Sequence, residues 1–167
     1  SLAGDNFSGS ELERWYAQEK EGYYEKHPLT EDPDPWYAYM RYVNEILFFR
    51  NVSKSITSGS GVFLGSGSGI EAKNFYQLNP DWVLNFVESS DNFRSELLSN
   101  FIGSNVVESS VDGNINLESN SNDFVCAFSV LHHIANVTHV INEIYRVTKP
   151  GGVFFVREPC SSMGDWR

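Results

Sequence analysis

Three apolar residues, Val62-Phe63-Leu64, run directly into Gly65-Ser66-Gly67-Ser68-Gly69, and no other stretch of the chain restricts its fold as much. Glycine costs about 0.5–1 kcal/mol relative to alanine inside regular structure. Glycines at alternate positions after a buried strand mean that the backbone turns sharply, or that something comes very close to it. The segments that follow alternate between short apolar runs and helical periodicity. GVFL is read as a strand and IEAKNFYQL as a helix; WVLNFVE is a strand and SDNFRSELLSNFI a helix with Phe93, Leu97 and Phe101 on one side. NVVES and NDFVCAFSVL are strands. NVTHVINEIYRVT is a helix with Val137, Val140, Ile141, Ile144 and Val147 in one stripe, KPGG stops it, and VFFVREP is a further strand. Such alternation predicts an α/β fold, a doubly wound parallel sheet with helices on both faces.

Two helices precede this region. SELERWYAQEKEGYYEK opens with Ser10 and Glu13 at capping-box spacing and places Leu12, Trp15, Tyr16 and Tyr23 roughly on one face. HPLTEDPDP breaks it, and Asp34 with Pro35 starts a second helix whose stripe is Trp36, Tyr39, Met40, Val43 and Leu47. The expected division is a helical lid or cap over residues 1–55 and an α/β core over residues 56–167. The net charge of -10 is spread along the chain, and no basic patch of the kind that nucleic acid requires is visible. No apolar run approaches the ~20 residues of a membrane span, and SLAGDNFSGS lacks the basic start of a signal peptide. Cys126 and Cys160 match no zinc spacing and read as reduced thiols of a cytoplasmic protein.

In open parallel sheets ligands bind beyond the carboxyl ends of the strands, where strand order reverses. Gly65, Gly67 and Gly69 would let main chain approach such a ligand without a Cβ in the way. Glu88, at the end of the second strand, can accept hydrogen bonds from both hydroxyls of a ribose. That suits any adenosine ligand. GSGIEA, residues 67–72, also fits the G-x-G-x-x-A dinucleotide fingerprint, which would imply NAD or a flavin nucleotide, although Gly65 is the first glycine after the strand and the whole reads better as G-x-G-x-G.

The segment NDFVCAFSVLHHIANVTHVINEIYRVTKPGGVFFVREP, residues 122–159, resembles class I S-adenosylmethionine-dependent methyltransferases, most closely the small-molecule branch known as the type 11 methyltransferase domain. Asp123-Phe124 opens the fourth strand, Val130 to His133 match its LHH segment, and Glu143 to Gly152 match the helix end that runs into KPGG. The likeness covers roughly residues 60–160. It implies a Rossmann-like sheet in the order 3-2-1-4-5, with the family's last antiparallel hairpin missing from this chain. It implies S-adenosylmethionine as cofactor, with Gly65, Ser66, Gly67 and Gly69 against its methionine part and ribose, and Glu88 on the ribose hydroxyls. Asp112 would receive the adenine amino group and the Gly113 backbone would meet the ring. Phe128 and Ser129 would lie near the methionine amino group and the sulfonium. The family's acid two residues before the first glycine is Phe63 here, a departure at the methionine end.

The function expected is methyl transfer to an O or N nucleophile of a small molecule, with no nucleic-acid or membrane partner and no metal. No catalytic residue is assigned; His132 and His133 are the nearest bases, and Glu158 ends the fifth strand beside the site. Two alternatives stand: an NAD-dependent oxidoreductase, and a cofactor-binding fragment without activity. VFFV would be an apolar sheet edge through which the chain self-associates.

Overall fold

The structure, a computed structural model, describes residues 4–26, 35–50 and 57–158. Helix α1 (Gly9–Lys26) and α2 (Pro35–Asn44) come first, and α2 continues into a π-helical turn, Glu45–Phe49. Then follow β1 (Gly59–Leu64), α3 (Lys73–Leu78), β2 (Trp82–Glu88), α4 (Asp91–Asn100), β3 (Asn105–Glu108) and β4 (Asn122–Phe128). A 3-10 turn, Leu131–His133, leads to α5 (Val137–Val147) and β5 (Thr148–Arg157). The five strands form one parallel sheet, as the alternation of strand and helix predicts, and their order is the β3-β2-β1-β4-β5 that the resemblance implies.

Side chains alternate across the sheet with the period of two that strands impose. Phe63 of β1, Leu84 and Phe86 of β2, and Phe124 and Cys126 of β4 enter one core with Phe49, Phe75, Leu97 and Phe101. This layer is aromatic: Phe124 touches Phe63, Phe75 and Trp82 with ring centroids 5.2–5.9 Å apart. Val62 and Leu64, Val87, and Val125 and Ala127 point the other way, onto Val140, Ile144 and Val147 of α5 and onto Ile115. One helical layer covers each face. Beyond β4, β5 is an edge, with Val153 and Val156 exposed.

Several boundaries differ from the sequence reading. The capping box sits two residues earlier: Glu11 accepts from both the amide and the hydroxyl of Ser8, each at 2.8 Å, so Ser8 and not Ser10 caps α1. The stripe on α2 is only partly right. Tyr39 and Leu47 are more than half exposed, while Asn44 and Phe49 are buried: Tyr39 and Asn44 lie on opposite faces of α2, and at Leu47 and Phe49 the π-helical turn rotates the register that a 3.6-residue period assumes. The side chains of Trp36 and Met40, and Asp34 itself, lie outside the described residues, as do the side chain of Tyr23 and all of Cys160. β4 stops at Phe128, because Ser129 takes a left-handed φ of 55° that no strand continues. KPGG ends α5 but belongs to β5, with an irregular register between Asn122 and Phe124 where Gly151 turns at φ 81°.

Two motif pairs prove to be structural. Lys149 reaches Asp123 at 3.0 and 2.9 Å, and the same carboxylate accepts the Ser60 amide at 2.8 Å, tying β1, β4 and β5 together. On α5, Glu143 accepts from the Ile115 amide at 2.9 Å and from Arg146 at 2.7 and 2.8 Å. Arg146 in turn donates to the carbonyls of Ile115 (2.7 Å) and Leu117 (2.9 Å). The pair pins the β3–β4 crossover to the helix. Arg146→Met should therefore lower unfolding free energy by about 1–3 kcal/mol, the cost of buried acceptors left without donors, measured by urea titration. The Arg146 hydrogen bond also holds the Glu143 carboxyl below its ordinary value of 4.5. A carboxylate with a depressed folded pKa stabilises fully above its unfolded value and loses that contribution as pH falls through the folded one. Between pH 5 and pH 3 the wild type should thus lose more stability than Arg146→Met.

Candidate active site

The carboxyl ends of β1, β2 and β4 meet at the place where strand order reverses, β1 lying between β2 and β4. Gly65, Gly67 and Gly69 all have positive φ, at 58°, 52° and 78°, so the chain reverses through conformations that side-chain-bearing residues avoid. The turn is bonded on both sides. The Gly65 amide donates to the Val87 carbonyl at 2.8 Å, and the Gly67 amide donates to the Glu88 carboxylate at 2.7 Å. Two of the glycines also answer a packing constraint. A Cβ on Gly65 would run into Cγ2 of Val130, and one on Gly69 would press on Phe101 and Leu97.

Glu88 is a buried carboxylate whose position is fully determined. Besides Gly67 it accepts from the Ser90 amide at 2.9 Å and lies 3.4 Å from the Ser89 hydroxyl. A carboxylate offers about four lone-pair sites, so acceptor capacity is left over. The Ser66 hydroxyl, in the middle of the glycine turn, is buried and has no hydrogen-bond partner. A buried orphan beside a spare acceptor is the pattern of a turn shaped around a polar ligand. The residues present therefore fit an adenosyl group.

Asp112 stands beyond β3 in an exposed loop. Its carboxylate accepts from the Ser110 hydroxyl at 2.5 Å, the Asn114 amide at 3.3 Å and the Asn114 side chain. The Ser110 bond leads in holding its pKa below the usual range. Its own carbonyl accepts from Asn136 at 2.7 Å, and Gly113 (φ 82°) lies against Val140 and Asn136 with no room for a Cβ. A cleft of about 620 Å³ opens beside this loop, lined by Ser110, Val111, Asn114 and the Glu143–Arg146 pair. Neither the glycine turn nor Glu88 lines it.

Phe128 and Ser129 end β4. The Phe128 ring is engaged by Phe48, with centroids 5.6 Å apart, and by the Arg157 guanidinium 5.2 Å from its centroid. Ser129 is exposed, and its amide donates to the Arg157 carbonyl at 2.7 Å. Phe63 is core, 3% exposed and packed on Phe49, Phe86 and Phe124. An acid at that position would be buried among rings.

The two histidines are held differently. His132 Nδ1 lies 2.6 Å from Glu158 Oε2, while Glu158 Oε1 accepts from the amides of Val130 (2.9 Å) and Leu131 (2.8 Å). Burial pulls the Glu158 pKa up, but the bonds from His132 and the two amides outweigh it and the carboxyl lies below its ordinary range. His133 Nδ1 lies 2.6 Å from Glu19 of α1. Its carbonyl accepts from Trp15 at 2.9 Å, Tyr16 donates to Asn136 at 2.9 Å, and Asp5 caps α5 at Thr138. Burial raises the Tyr16 pKa to about 12. The amino-terminal helix thus docks against the loop between β4 and α5. Sequence reading placed its aromatic stripe but not this contact, which involves residues more than a hundred positions apart. It also missed Glu71, Arg157 and Asn44: Arg157 pairs with Glu71 at 2.5 Å, and Asn44 donates to the same carboxylate at 3.1 Å. A lone Glu after a glycine turn and a lone Arg in a strand carry no motif.

A family known as the methyltransferase domain matches residues 62–156. The chain belongs to that family. Solved structures share the fold. A candidate S-adenosyl-L-methionine-dependent methyltransferase from Methanococcus maripaludis is 21% identical over 77% of this chain and 66% of its own, with a TM-score of 0.57. A protein from Pyrococcus horikoshii OT3 is 19% identical over 81% and 64% (TM-score 0.64), and a SAM-dependent methyltransferase from Aquifex aeolicus is 14% identical over 96% and 77% (TM-score 0.60). This methyltransferase-family chain spans just under two thirds of the first two. No curated protein matches it. Among the described residues there is no cluster of metal ligands and no helix long and apolar enough to cross a membrane.

Gly65→Ala in this family member should cost about 2 kcal/mol or more, from a left-handed alanine and the collision with Val130. Made in a Val130→Ala background, the same substitution should cost less but not nothing. Thermal melts of the four proteins separate the two contributions.

Proposed function

We propose that the chain takes up S-adenosylmethionine at the glycine turn and transfers its methyl group to an O or N nucleophile of a small molecule. The observation that carries this reading is the Glu88 carboxylate. It is anchored by Gly67 and Ser90 at the switch point of a methyltransferase-family sheet and, once the long 3.4 Å contact from the Ser89 hydroxyl is given up, has acceptor capacity for two ribose hydroxyls. The Ser66 hydroxyl and the main chain of Gly65–Gly69 would line the same crevice. Asp112 and the Gly113 backbone would receive the adenine. Phe128 and Ser129 would bound the far side, chiefly through main chain, since the Phe128 ring is already engaged.

S-adenosylmethionine supplies an already activated methyl group, so the demanding chemistry is brought by the bound donor. The chain's part is to orient, exclude water and take up a proton. Phe48, Phe49 and Phe128 form an apolar wall at the end of β4. Where the acceptor keeps its proton, His132, in the turn that follows β4, would take it up. Glu158 fixes its Nδ1, and its other nitrogen has no described partner. The acidic surface favours a metabolite over nucleic acid.

Calorimetric titration with S-adenosylhomocysteine should release or absorb heat, and NAD should give none. Glu88→Gln should weaken S-adenosylhomocysteine about 10- to 100-fold, the worth of one or two hydrogen bonds to a charged acceptor. Heat from NAD alone would overturn the proposal. Binding without methyl transfer across a broad panel of small amines, phenols and acids would confine it to cofactor binding.

A further inference from the structure

Asn136 stands at the N-cap of α5, where an asparagine side chain ordinarily accepts from the second or third amide of its own helix. Here it makes no such bond, and its ψ of 53° is not the extended backbone from which a cap folds back. Asp5, from the chain ahead of α1, supplies the cap instead. Its carboxylate accepts from the Thr138 amide at 3.2 Å and from the Thr138 hydroxyl at 2.7 Å. Released from its own helix, the Asn136 side chain joins two segments far away in sequence. Its Nδ2 donates to the Asp112 carbonyl at 2.7 Å, and its Oδ1 accepts from the Tyr16 hydroxyl at 2.9 Å. The residue is buried, so both ends of the amide need such partners. Gly113 packs on the same amide: a Cβ there would meet Asn136 Nδ2 at 3.1 Å. Capping α5 and holding Asp112 call for different ψ angles at Asn136, so the two placements exclude each other.

We propose that Asn136 is a positioning residue for the adenine loop, and that the amino-terminal segment sets it. With the segment docked, Asp5 takes over the cap and Tyr16 holds the amide toward Asp112. With the segment released, Asn136 turns back to cap α5 and lets go of the Asp112 carbonyl. The inference deepens the proposed function and rests on it, since Asp112 and Gly113 are the residues that would receive the adenine. Trp15 and Glu19 add their contacts to His133, and all these bonds are made by side chains of the amino-terminal segment. The segment can therefore come away without opening the sheet. By linkage, whatever factor docking adds to nucleoside affinity, bound nucleoside adds to docking.

S-adenosylhomocysteine and S-inosylhomocysteine differ only in the base, amino against oxo. In the wild type, hydrogen exchange of the α1 amides should slow about fivefold or more on saturation with S-adenosylhomocysteine. Calorimetry should show that ligand preferred over S-inosylhomocysteine by about tenfold or more, since only its base donates to Asp112. Asn136→Asp keeps a side chain able to cap α5 but has no donor for the Asp112 carbonyl. It and Tyr16→Phe should each weaken S-adenosylhomocysteine about tenfold and S-inosylhomocysteine less than about twofold, narrowing the preference. Exchange in wild-type α1 that is unchanged by bound S-adenosylhomocysteine would overturn the inference while leaving the cofactor site standing. So would variants that weaken both ligands alike, as they would if the segment merely braced the fold. If S-adenosylhomocysteine gives no heat with the wild type, the proposed function fails and the inference fails with it. The wild-type exchange comparison needs no variant, so loss of folding in either substitution does not decide the matter.

Discussion

The hydrogen bond from the Gly67 amide to the Glu88 carboxylate is the contact on which the site depends. It joins the turn after β1 to the end of β2 at 2.7 Å, across strands that the sheet already holds in parallel register. A turn of alternating left-handed glycines has little conformational reason to keep one shape. Anchored at Gly65 by the Val87 carbonyl and at Gly67 by Glu88, it keeps a single path, and that path leaves the Ser66 hydroxyl buried and unmet. The acid that would grip a ribose is thus also the group that sets the loop. Removing it would cost the proposed ribose contact and the shape of the turn together.

Other parts of the fold serve that arrangement. The aromatic core takes in Phe63 at a position where charge is not tolerated. The Glu143–Arg146 pair pins the crossover that carries Asp112 and Gly113. Helix α1 reaches the same region from the other direction. Tyr16 bonds Asn136, Asn136 bonds the Asp112 carbonyl, and Glu19 bonds His133. A segment far away in sequence therefore braces the loops that flank the crevice.

The parallel sheet was legible because strand and helix signals are local, and its order followed from the resemblance carried by residues 122–159. Val62 and Leu64 against Phe63, or Val140, Ile144 and Val147 along α5, declare their faces through periodicity alone. The glycine turn and Glu88 were legible for the same reason, being short and motif-bound. Three things were not. The capping box slipped by two residues because Ser8 and Ser10 both precede a glutamate at the right spacing, and only geometry chooses. The α2 stripe failed at a π-helical turn, which changes the period without changing composition. The Glu71–Arg157–Asn44 cluster joins α2, the glycine turn and β5, and such long-range convergence leaves no trace in spacing. Conversely, Asp123, Glu143, Arg146 and Lys149, the residues that make the family signature readable, turn out to hold the sheet and its crossover rather than face the crevice.

The most direct measurement is a crystal structure with S-adenosylhomocysteine soaked or co-crystallised. The account predicts both ribose hydroxyls on the Glu88 carboxylate, with the Gly67 amide still bonded to it and main chain of residues 65–69 in van der Waals contact with the ligand. A nucleoside lodged elsewhere, with the crevice above Glu88 filled only by water, would contradict it.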